Sequence, residues 1–380
     1  MGIEEKLYKQ HRRKMMKTGK KGKKPIRIGI WGIGRAGWGM HCYELDQFPG
    51  EFEIVAGCDV EQDRLDALKK RYPAAKTYLD GNQFLKDENM ELVAVAVRSP
   101  QHVDYCLRAL KAGKMVFLEK PIALSVKGLK KLQQAVRKYP GKLFFRHNRR
   151  YESGFNHILE IIRSGILGDV YEIKLRRQSF EFRGDWQTLI DCGGGQLNNW
   201  GPHLIDQAVQ FLDSPVEAVW SDLKRITALG DAEDNLKIIL RGKNGRIADI
   251  EISGAVAIRA PFYTVYGSRG TLTTENLQNI KLQYLSPETK APTEKSHPET
   301  PPMNGSFGGT VPPKWIRKTI MVEPSDGISE MDIYHKLYET IREGKPFRVK
   351  PEEAFEVVRV SALIKEQNPA FKGIEDEFGQ

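Results

Sequence analysis

Long apolar runs are missing from this chain of 380 residues. The clearest candidate, Leu92 to Val97, falls far short of the roughly 18 residues that cross a bilayer, so no membrane-spanning helix is expected. Cysteine is scarce: Cys42, Cys58, Cys106 and Cys192 lie too far apart for a C-x-x-C redox pair or zinc site, and no metal centre is expected. An export signal would need an apolar stretch of roughly 7–15 residues after its basic segment. Here Arg12-Arg13 leads into Lys14-Met15-Met16-Lys17. The cysteines therefore read as reduced core thiols of a cytoplasmic protein. Lys6 stands where a myristoylation signal requires Ser or Thr. There is no internal repeat.

An excess of positive charge is also missing from most of the chain, although the formal net charge is +10. Residues 1–24 hold ten Lys or Arg against Glu4 and Glu5, a net of +8, which leaves 49 basic and 47 acidic groups for the other 356 residues. That body has no electrostatic footprint for nucleic acid. The tail reads as a solvated segment, with contact to RNA or another acidic surface as the alternative.

What is present is a length and a hydrophobic content of 40% that suit two domains behind the tail of residues 1–24. Pro25 ends the tail, and Ile26 to Trp31 reads as a strand running into Gly32-Ile33-Gly34-Arg35-Ala36-Gly37. Further strands are predicted at Glu53 to Cys58, Leu92 to Val97 and Met115 to Leu118. Helical character falls at Val60 to Lys70, at Phe84-Leu85, and where Val103, Cys106, Leu107 and Leu110 recur before Gly113. Alternation of this kind predicts a doubly wound parallel sheet, a Rossmann-type α/β domain over residues 25–145.

Beyond it, Val170 to Gln178, Val216 to Lys224, Asn235 to Leu240, Arg246 to Ser253, Phe262 to Tyr266 and Gly270 to Thr274 predict a large, mostly antiparallel open sheet. Residues 146–380 then form an α+β domain for substrate binding and oligomerisation. Residues 287–324 contain eight prolines and read as a long loop. Helices are expected at Glu330 to Glu343 and Pro351 to Gln367.

A lone G-x-G-x-x-G is weak, since 35 glycines produce chance matches. This one follows a strand, opens a helix, and has an acid, Asp59, at the end of the next strand. The first glycine permits the turn, the second lets the backbone approach a pyrophosphate, and the third packs helix on strand. Asp59 accepts from a ribose 2′-hydroxyl and repels a 2′-phosphate, which favours NAD over NADP. A structural glycine-rich turn is the bland alternative.

Several motifs then follow in order: Ser99-Pro100 with His102, Glu119-Lys120-Pro121, Arg146-His147-Asn148-Arg149-Arg150-Tyr151, Gly165-Ile166-Leu167-Gly168, and Gly193-Gly194-Gly195-Gln196-Leu197-Asn198-Asn199-Trp200-Gly201-Pro202-His203-Leu204-Ile205-Asp206. Together they resemble the glucose-fructose oxidoreductase / inositol dehydrogenase (Gfo/Idh/MocA) family over residues 26–275 and weakly in the last helix. The resemblance implies NAD-dependent hydride transfer to or from a secondary alcohol of a sugar, glycoside or polyol, in a homo-oligomer, dimer or tetramer. By the same resemblance Lys120 lies beside the reacting carbinol and His203 accepts its proton. Gly32, Ile33, Gly34, Arg35, Ala36, Gly37, Asp59, Ser99, Pro100, His102, Glu119, Lys120 and Asn148 hold the cofactor. Arg149, Tyr151, Arg183, Trp186 and Trp200 fall at the mouth of the site and, with Asn199 and His203, contact substrate.

The residue types suit these roles. A lysine at the C-terminal end of a parallel strand points into the ligand crevice, and its ammonium stabilises a developing alkoxide. His203 follows Gly201-Pro202 near a helix start, where positive potential favours the neutral imidazole that a base must have. One departure stands out: Asn199 occupies a position where the family commonly has aspartate, and an amide cannot take up a proton. Lys120, Asp206 or water are the candidate replacements. Two alternative functions remain open: glycoside cleavage by transient sugar oxidation and elimination with NAD retained, and a non-catalytic NAD-binding sensor or scaffold.

The charge distribution carries a prediction. Deleting residues 1–24 leaves turnover unchanged, measured as kcat/KM beside the full chain; a large loss would make the tail part of the working assembly.

Overall fold

The computed structural model describes residues 24–290, 297–299, 313–322 and 329–376. Its N-terminal sheet has six parallel strands: β1 (Ile26–Trp31), β2 (Phe52–Cys58), β3 (Lys76–Tyr78), β4 (Leu92–Val95), β5 (Met115–Leu118) and β6 (Leu143–Phe145), in the order β3-β2-β1-β4-β5-β6. Strand β4 reads Leu-Val-Ala-Val and is buried throughout, as a central strand covered on both faces must be. The order reverses between β1 and β4, so a crevice opens at their C-terminal ends, which is where such sheets bind ligands.

The second sheet has eight strands: β7 (Val170–Gln178), β8 (Val216–Lys224), β9 (Asn235–Gly242), β10 (Ile247–Ser253), β11 (Tyr263–Gly267), β12 (Gly270–Thr274), β13 (Asn279–Leu285) and β14 (Trp315–Met321). Their order is β14-β13-β12-β11-β7-β10-β9-β8, antiparallel except that β7 and β10 run parallel. The period-two pattern fixes the faces. Ile173, Leu175, Ile238, Leu240, Ile250 and Ile252 point inward onto helices Ser153–Arg163, Gly201–Leu212 and Pro351–Gln367. Each such side chain contributes about 1.5–3 kcal/mol on burial. The outward face is polar, with Arg176 and Lys237 both paired to Asp249, at 2.7 and 2.6 Å.

Two sequence expectations change. The stretch 287–324 is not all loop, because β14 lies inside it and pairs with β13, Leu282 opposite Lys318. The neighbouring prolines obscured its alternation of Ile316 and Ile320 with charged residues. Strand β13 itself was not anticipated. The tail falls outside the described residues except for Lys24, whose carbonyl, like that of Pro25, accepts from Arg342. Among the described residues no helix is long and apolar enough to cross a membrane.

The C-terminal helices bind the two sheets together. Although helix Ile333–Glu343 follows the second sheet in sequence, its Ile333, Tyr334 and Leu337 complete the core on one face of the first. The Tyr334 ring meets Phe52 and Phe117 edge-on at 5.2 and 5.3 Å. Helix Pro351–Gln367 serves both cores: Ala354 and Val358 pack with the first domain, Val357, Val360 and Ile364 with the second. Replacing Tyr334 with Ala should therefore lower unfolding free energy by about 3 kcal/mol or more, read from urea denaturation. A change below about 1 kcal/mol would show that the helix does not hold the sheet.

Candidate active site

The loop after β1 forms a cradle whose glycines are fixed by space. At Gly32, with φ of +94°, a Cβ would meet the Ala96 carbonyl oxygen at 2.6 Å, and at Gly37 it would fall 1.9 Å from the Gly32 oxygen. Gly34 is different: the nearest atom to its Cβ position is Arg64 Nη1, 4.0 Å away, so its backbone faces open space. Side-chain-free backbone at that point, followed directly by a helix that starts with unpaired N–H groups, fits a dinucleotide pyrophosphate. Ile33 and Ala36 belong to the same turn, and Arg35 is exposed on it.

Asp59 ties this loop to the end of β2. Its Oδ2 accepts from the Ile33 N–H at 2.6 Å, its Oδ1 from the Glu61 N–H at 3.0 Å, and Arg64 Nη1 approaches Oδ1 at 3.2 Å. A carboxylate has acceptor capacity left for a ribose hydroxyl. Arg64, about half exposed, puts a cation beside the same place, which the sequence reading missed. Ser99 and Pro100 form the turn beyond β4, and Pro100 packs against Gly193 of the second domain.

Lys120 leaves the end of β5 from a buried charge cluster. Glu119 turns inward, away from the crevice, to Arg146 Nη1 at 2.7 Å and His41 Nε2 at 3.1 Å. Arg146 also pairs with Glu44, and His41 bonds the Tyr334 hydroxyl. Burial opposes ionisation of Glu119, but Arg146 and His41 outweigh it and hold the carboxyl well below its usual range. Glu119 Oε2 accepts the Lys120 N–H at 3.0 Å, which fixes the backbone of the next residue. The Lys120 ammonium then donates to the Asn199 carbonyl at 2.8 Å, with Asn199 Oδ1 at 3.4 Å. Burial lowers the Lys120 pKa to about 8 against the pull of Glu119, aided by Arg35, Arg146 and Arg149.

Across the crevice, Gly193, Gly194 and Gly195 bring helix Gln196–Asn199 under Lys120, and His203 sits in the first turn of helix Gly201–Leu212. Its Nδ1 is buried without a partner among the described residues, so the nitrogen turned to the crevice is Nε2. Burial, with Lys120, Arg149 and His147, holds its pKa well below the ordinary value, and the ring is neutral at pH 7. Trp200 packs edge-on to it at 5.6 Å.

Other expected site residues lie elsewhere or are already engaged. His102 is buried with Nδ1 2.7 Å from the Pro121 carbonyl oxygen and Nε2 3.0 Å from that of Val97, so both ring nitrogens face backbone between two strand ends rather than a cofactor. Tyr151 is 1% exposed and packs in the core with Arg348 at 5.5 Å, not at the mouth. Asp206, a candidate proton acceptor, is held by two 2.7 Å bonds from Arg150. The Trp200 ring has the guanidinium carbons of Arg149 and Arg177 each at 5.3 Å. Arg183 is bonded to Asp185 and Gln187, and Trp186 lies 5.5 Å from the Arg98 guanidinium across the crevice. Asn148 is buried with its Oδ1 unpartnered among the described residues.

Arg98, Arg177, His147 and Glu233 also shape the site, and no motif marked them beyond the run in which His147 stands. Glu233 Oε1 accepts from the Leu197 N–H at 2.9 Å, at the start of the Asn199 helix. A Cβ on Gly195, whose φ is +97°, would come within 2.3 Å of that carboxylate, which explains this glycine.

A Rossmann cradle joined to a lysine and a neutral histidine across one crevice defines a dinucleotide-binding oxidoreductase. Residues 26–147 match the model of an oxidoreductase family with an NAD-binding Rossmann fold, and residues 155–273 match the GFO/IDH/MocA C-terminal domain. The chain belongs to the Gfo/Idh/MocA family. It is 25% identical to scyllo-inositol 2-dehydrogenase (NADP(+)) of Bacillus subtilis over 354 residues, 90% of this chain and 94% of that protein. Myo-inositol 2-dehydrogenase of Thermotoga maritima is 27% identical over 259 residues, 67% of this chain and 76% of that one. D-glucoside 3-dehydrogenase of Escherichia coli is 28% identical over 195 residues, 50% and 55% respectively. The solved structure of the oxidoreductase yvaA from B. subtilis shares the fold, with a TM-score of 0.74 at 21% identity over 93% of this chain and all of the other.

Burial raises the Glu233 pKa to about 7, against the Leu197 N–H and Lys365. A carboxyl whose folded pKa is raised stabilises the fold below its unfolded pKa and loses that contribution as pH rises through the folded value. Glu233→Gln should match wild type in urea midpoint near pH 4.5 and exceed it progressively toward pH 8. A midpoint difference independent of pH would contradict this.

Proposed function

We propose that the protein oxidises a secondary alcohol of a cyclic polyol or glycoside with NAD, or reduces the matching ketone. The observation that carries this reading is the pairing, across one crevice, of the Lys120 ammonium at the end of β5 with His203, buried, neutral and open to the crevice through Nε2. When bound, the nicotinamide supplies the hydride acceptor.

The chain's own residues supply the rest. Lys120, held by Glu119 behind and the Asn199 carbonyl in front, places a positive charge where an alkoxide develops. His203 Nε2 takes the hydroxyl proton, and its low basicity lets it return that proton in the reductive direction. Asn199 orients the ammonium and offers its amide to a substrate hydroxyl. Trp186 and Arg183, on the loop facing Arg98, border the crevice and exclude water from it. The preference for NAD rests on Asp59, whose charge opposes a 2′-phosphate; Arg64 softens that preference because it partly neutralises the acid.

Lys120→Ala and His203→Ala should each reduce kcat by about 100-fold or more while leaving NADH binding, followed by fluorescence, within a few-fold. Either variant turning over near the wild-type rate on the true substrate would refute the role assigned to it. With Lys120 cationic in the reacting state, its charged fraction falls as pH rises through about 8. The kcat for alcohol oxidation should therefore decline above that pH, and a profile still climbing at pH 9 would make Lys120 the base. Arg64→Ala should weaken NADPH binding at least tenfold and NADH binding little, with Asp59→Ala showing the reverse preference. The substrate itself is found by screening polyols, glycosides and keto-sugars at the reduced-nicotinamide absorbance band.

A further inference from the structure

Glu233 lies behind the crevice, and nothing in the mechanism above uses it. It stands just before β9, is 4% exposed, and serves the start of helix Gln196–Asn199 twice. Its backbone carbonyl accepts from the Gln196 N–H at 3.1 Å, and its Oε1 from the Leu197 N–H at 2.9 Å. The far end of the same helix meets Lys120, whose ammonium donates to the Asn199 carbonyl at 2.8 Å. One short helix thus has an acid at its first N–H groups and an ammonium at its last carbonyl, each at the end where the backbone dipoles favour it.

A helix of four residues cannot hold itself in place. Its bonds along the axis run from the Asn199 N–H to the Gly195 carbonyl at 3.0 Å and from the Trp200 N–H to that of Gln196 at 2.9 Å. Position must come from outside, and the segment bearing Glu233 is firmly anchored. Next to it, Asp234 donates its N–H to the Lys224 carbonyl at 3.1 Å, and its carboxylate accepts from the N–H groups of Ile226, Thr227 and Ala228. On the other side Ala232 donates to the Thr188 carbonyl at 2.9 Å. The charged groups around Glu233 are Asp234, Lys365 from helix Pro351–Gln367 and, on the wall of a narrow cavity alongside, Glu181 and Arg183. Lys365 donates to the Leu124 carbonyl and Arg183 to Asp185 and Gln187, so neither draws the carboxyl off the helix.

We propose that Glu233 is a positioning residue for the reaction, holding in place, through helix Gln196–Asn199, the carbonyl that receives the Lys120 ammonium. An ammonium has three donors. With one fixed on Asn199, the direction of the two left for a substrate oxygen is set. The route is continuous in hydrogen bonds: Glu233 Oε1 to the Leu197 N–H, the single helical turn to the Asn199 carbonyl, and that carbonyl to Lys120 Nζ. Glu119 fixes the backbone of the lysine from the first domain, and Glu233 fixes its tip from the second. What counts is the reach of the carboxyl oxygen and not its charge, since a protonated carboxyl still accepts. Gly195 permits that reach, because a Cβ there would fall 2.3 Å from the carboxylate. The inference rests on the dehydrogenase reading.

The test sets reach against charge. Glu233→Gln keeps the acceptor oxygen without the charge, and Glu233→Asp keeps the charge but withdraws the oxygen by one methylene. We expect Glu233→Gln to stay within about threefold of the wild-type kcat and Glu233→Asp to lose about 10- to 100-fold, with KM for NAD unchanged in both. The alkaline decline of kcat, above about pH 8 in wild type, should begin at lower pH in Glu233→Asp, because the ammonium loses an acceptor that favours its charged form. Should Glu233→Asp not fold, Glu233→Leu takes its place with the same expectation. A wild-type rate in Glu233→Asp would overturn the proposal, as would Glu233→Gln falling equally far. A rate loss with the alkaline decline unmoved would also overturn it, marking Glu233 as structural alone. If wild type turns over no polyol or glycoside, the dehydrogenase reading fails, and carbon NMR of the lysine Cε groups in the full chain without substrate still decides the positioning. The Lys120 titration midpoint, assigned with Lys120→Met, should fall by about half a pH unit or more in Glu233→Asp and stay put in Glu233→Gln; equal midpoints in Glu233→Asp and wild type refute it.

Discussion

The buried ion cluster around Glu119 is the constraint on which the site depends. Arg146 lies between two carboxylates, Glu119 and Glu44, and His41 joins Glu119 to the hydroxyl of Tyr334. A buried charge that loses its partner costs about 3–5 kcal/mol, so none of these groups can change conformation alone. Because Glu119 also accepts the backbone N–H of Lys120, the position of Lys120 is set by a network anchored in the first sheet, the helix behind the glycine loop and the C-terminal helix. Lys120 is thus placed by side chains buried behind it.

The same low-dielectric setting tunes the chemistry. Burial penalises charge on Lys120 and His203 alike, but Glu119 returns part of what the lysine loses, whereas at the histidine the cations Lys120 and Arg149 each outweigh its pull. The outcome is a cation beside a neutral imidazole, the arrangement in which one group steadies negative charge on oxygen and the other removes a proton. Asn199 fits this division: its carbonyl receives the lysine without adding a negative charge that would make the histidine more basic.

How much of this could be read in the sequence follows from what each signal encodes. The glycine loop, the strand-end acid and the strands β7, β8 and β12 were legible because turn geometry and a period of two leave direct marks on residue type. Lys120, Asn199 and His203 were found through motifs, and the structure brings them together. Motifs fix a position in the chain but not the direction of a side chain. His102, Glu119 and Tyr151 stand in motif segments and yet face inward: the Pro121 carbonyl and Arg146, each distant within the chain, hold the first two, and apolar packing takes the third. Glu233 was invisible for the opposite reason: its site is defined by the absence of a Cβ on Gly195 38 residues earlier. Strand β14 was hidden because proline dominated its surroundings.

The helix that carries Tyr334 has a consequence for how the chain is made. All six strands of the first sheet are encoded before residue 146, but the face bearing Phe52 and Phe117 is completed by Tyr334 and its neighbours from residues 333–343. During synthesis that face, and the His41 side of the ion cluster, must wait for the second domain to be translated in full. The last part of the N-terminal core therefore forms late, and the aromatic edge around Phe52 and Phe117 is the stretch most in need of protection until the last helices arrive.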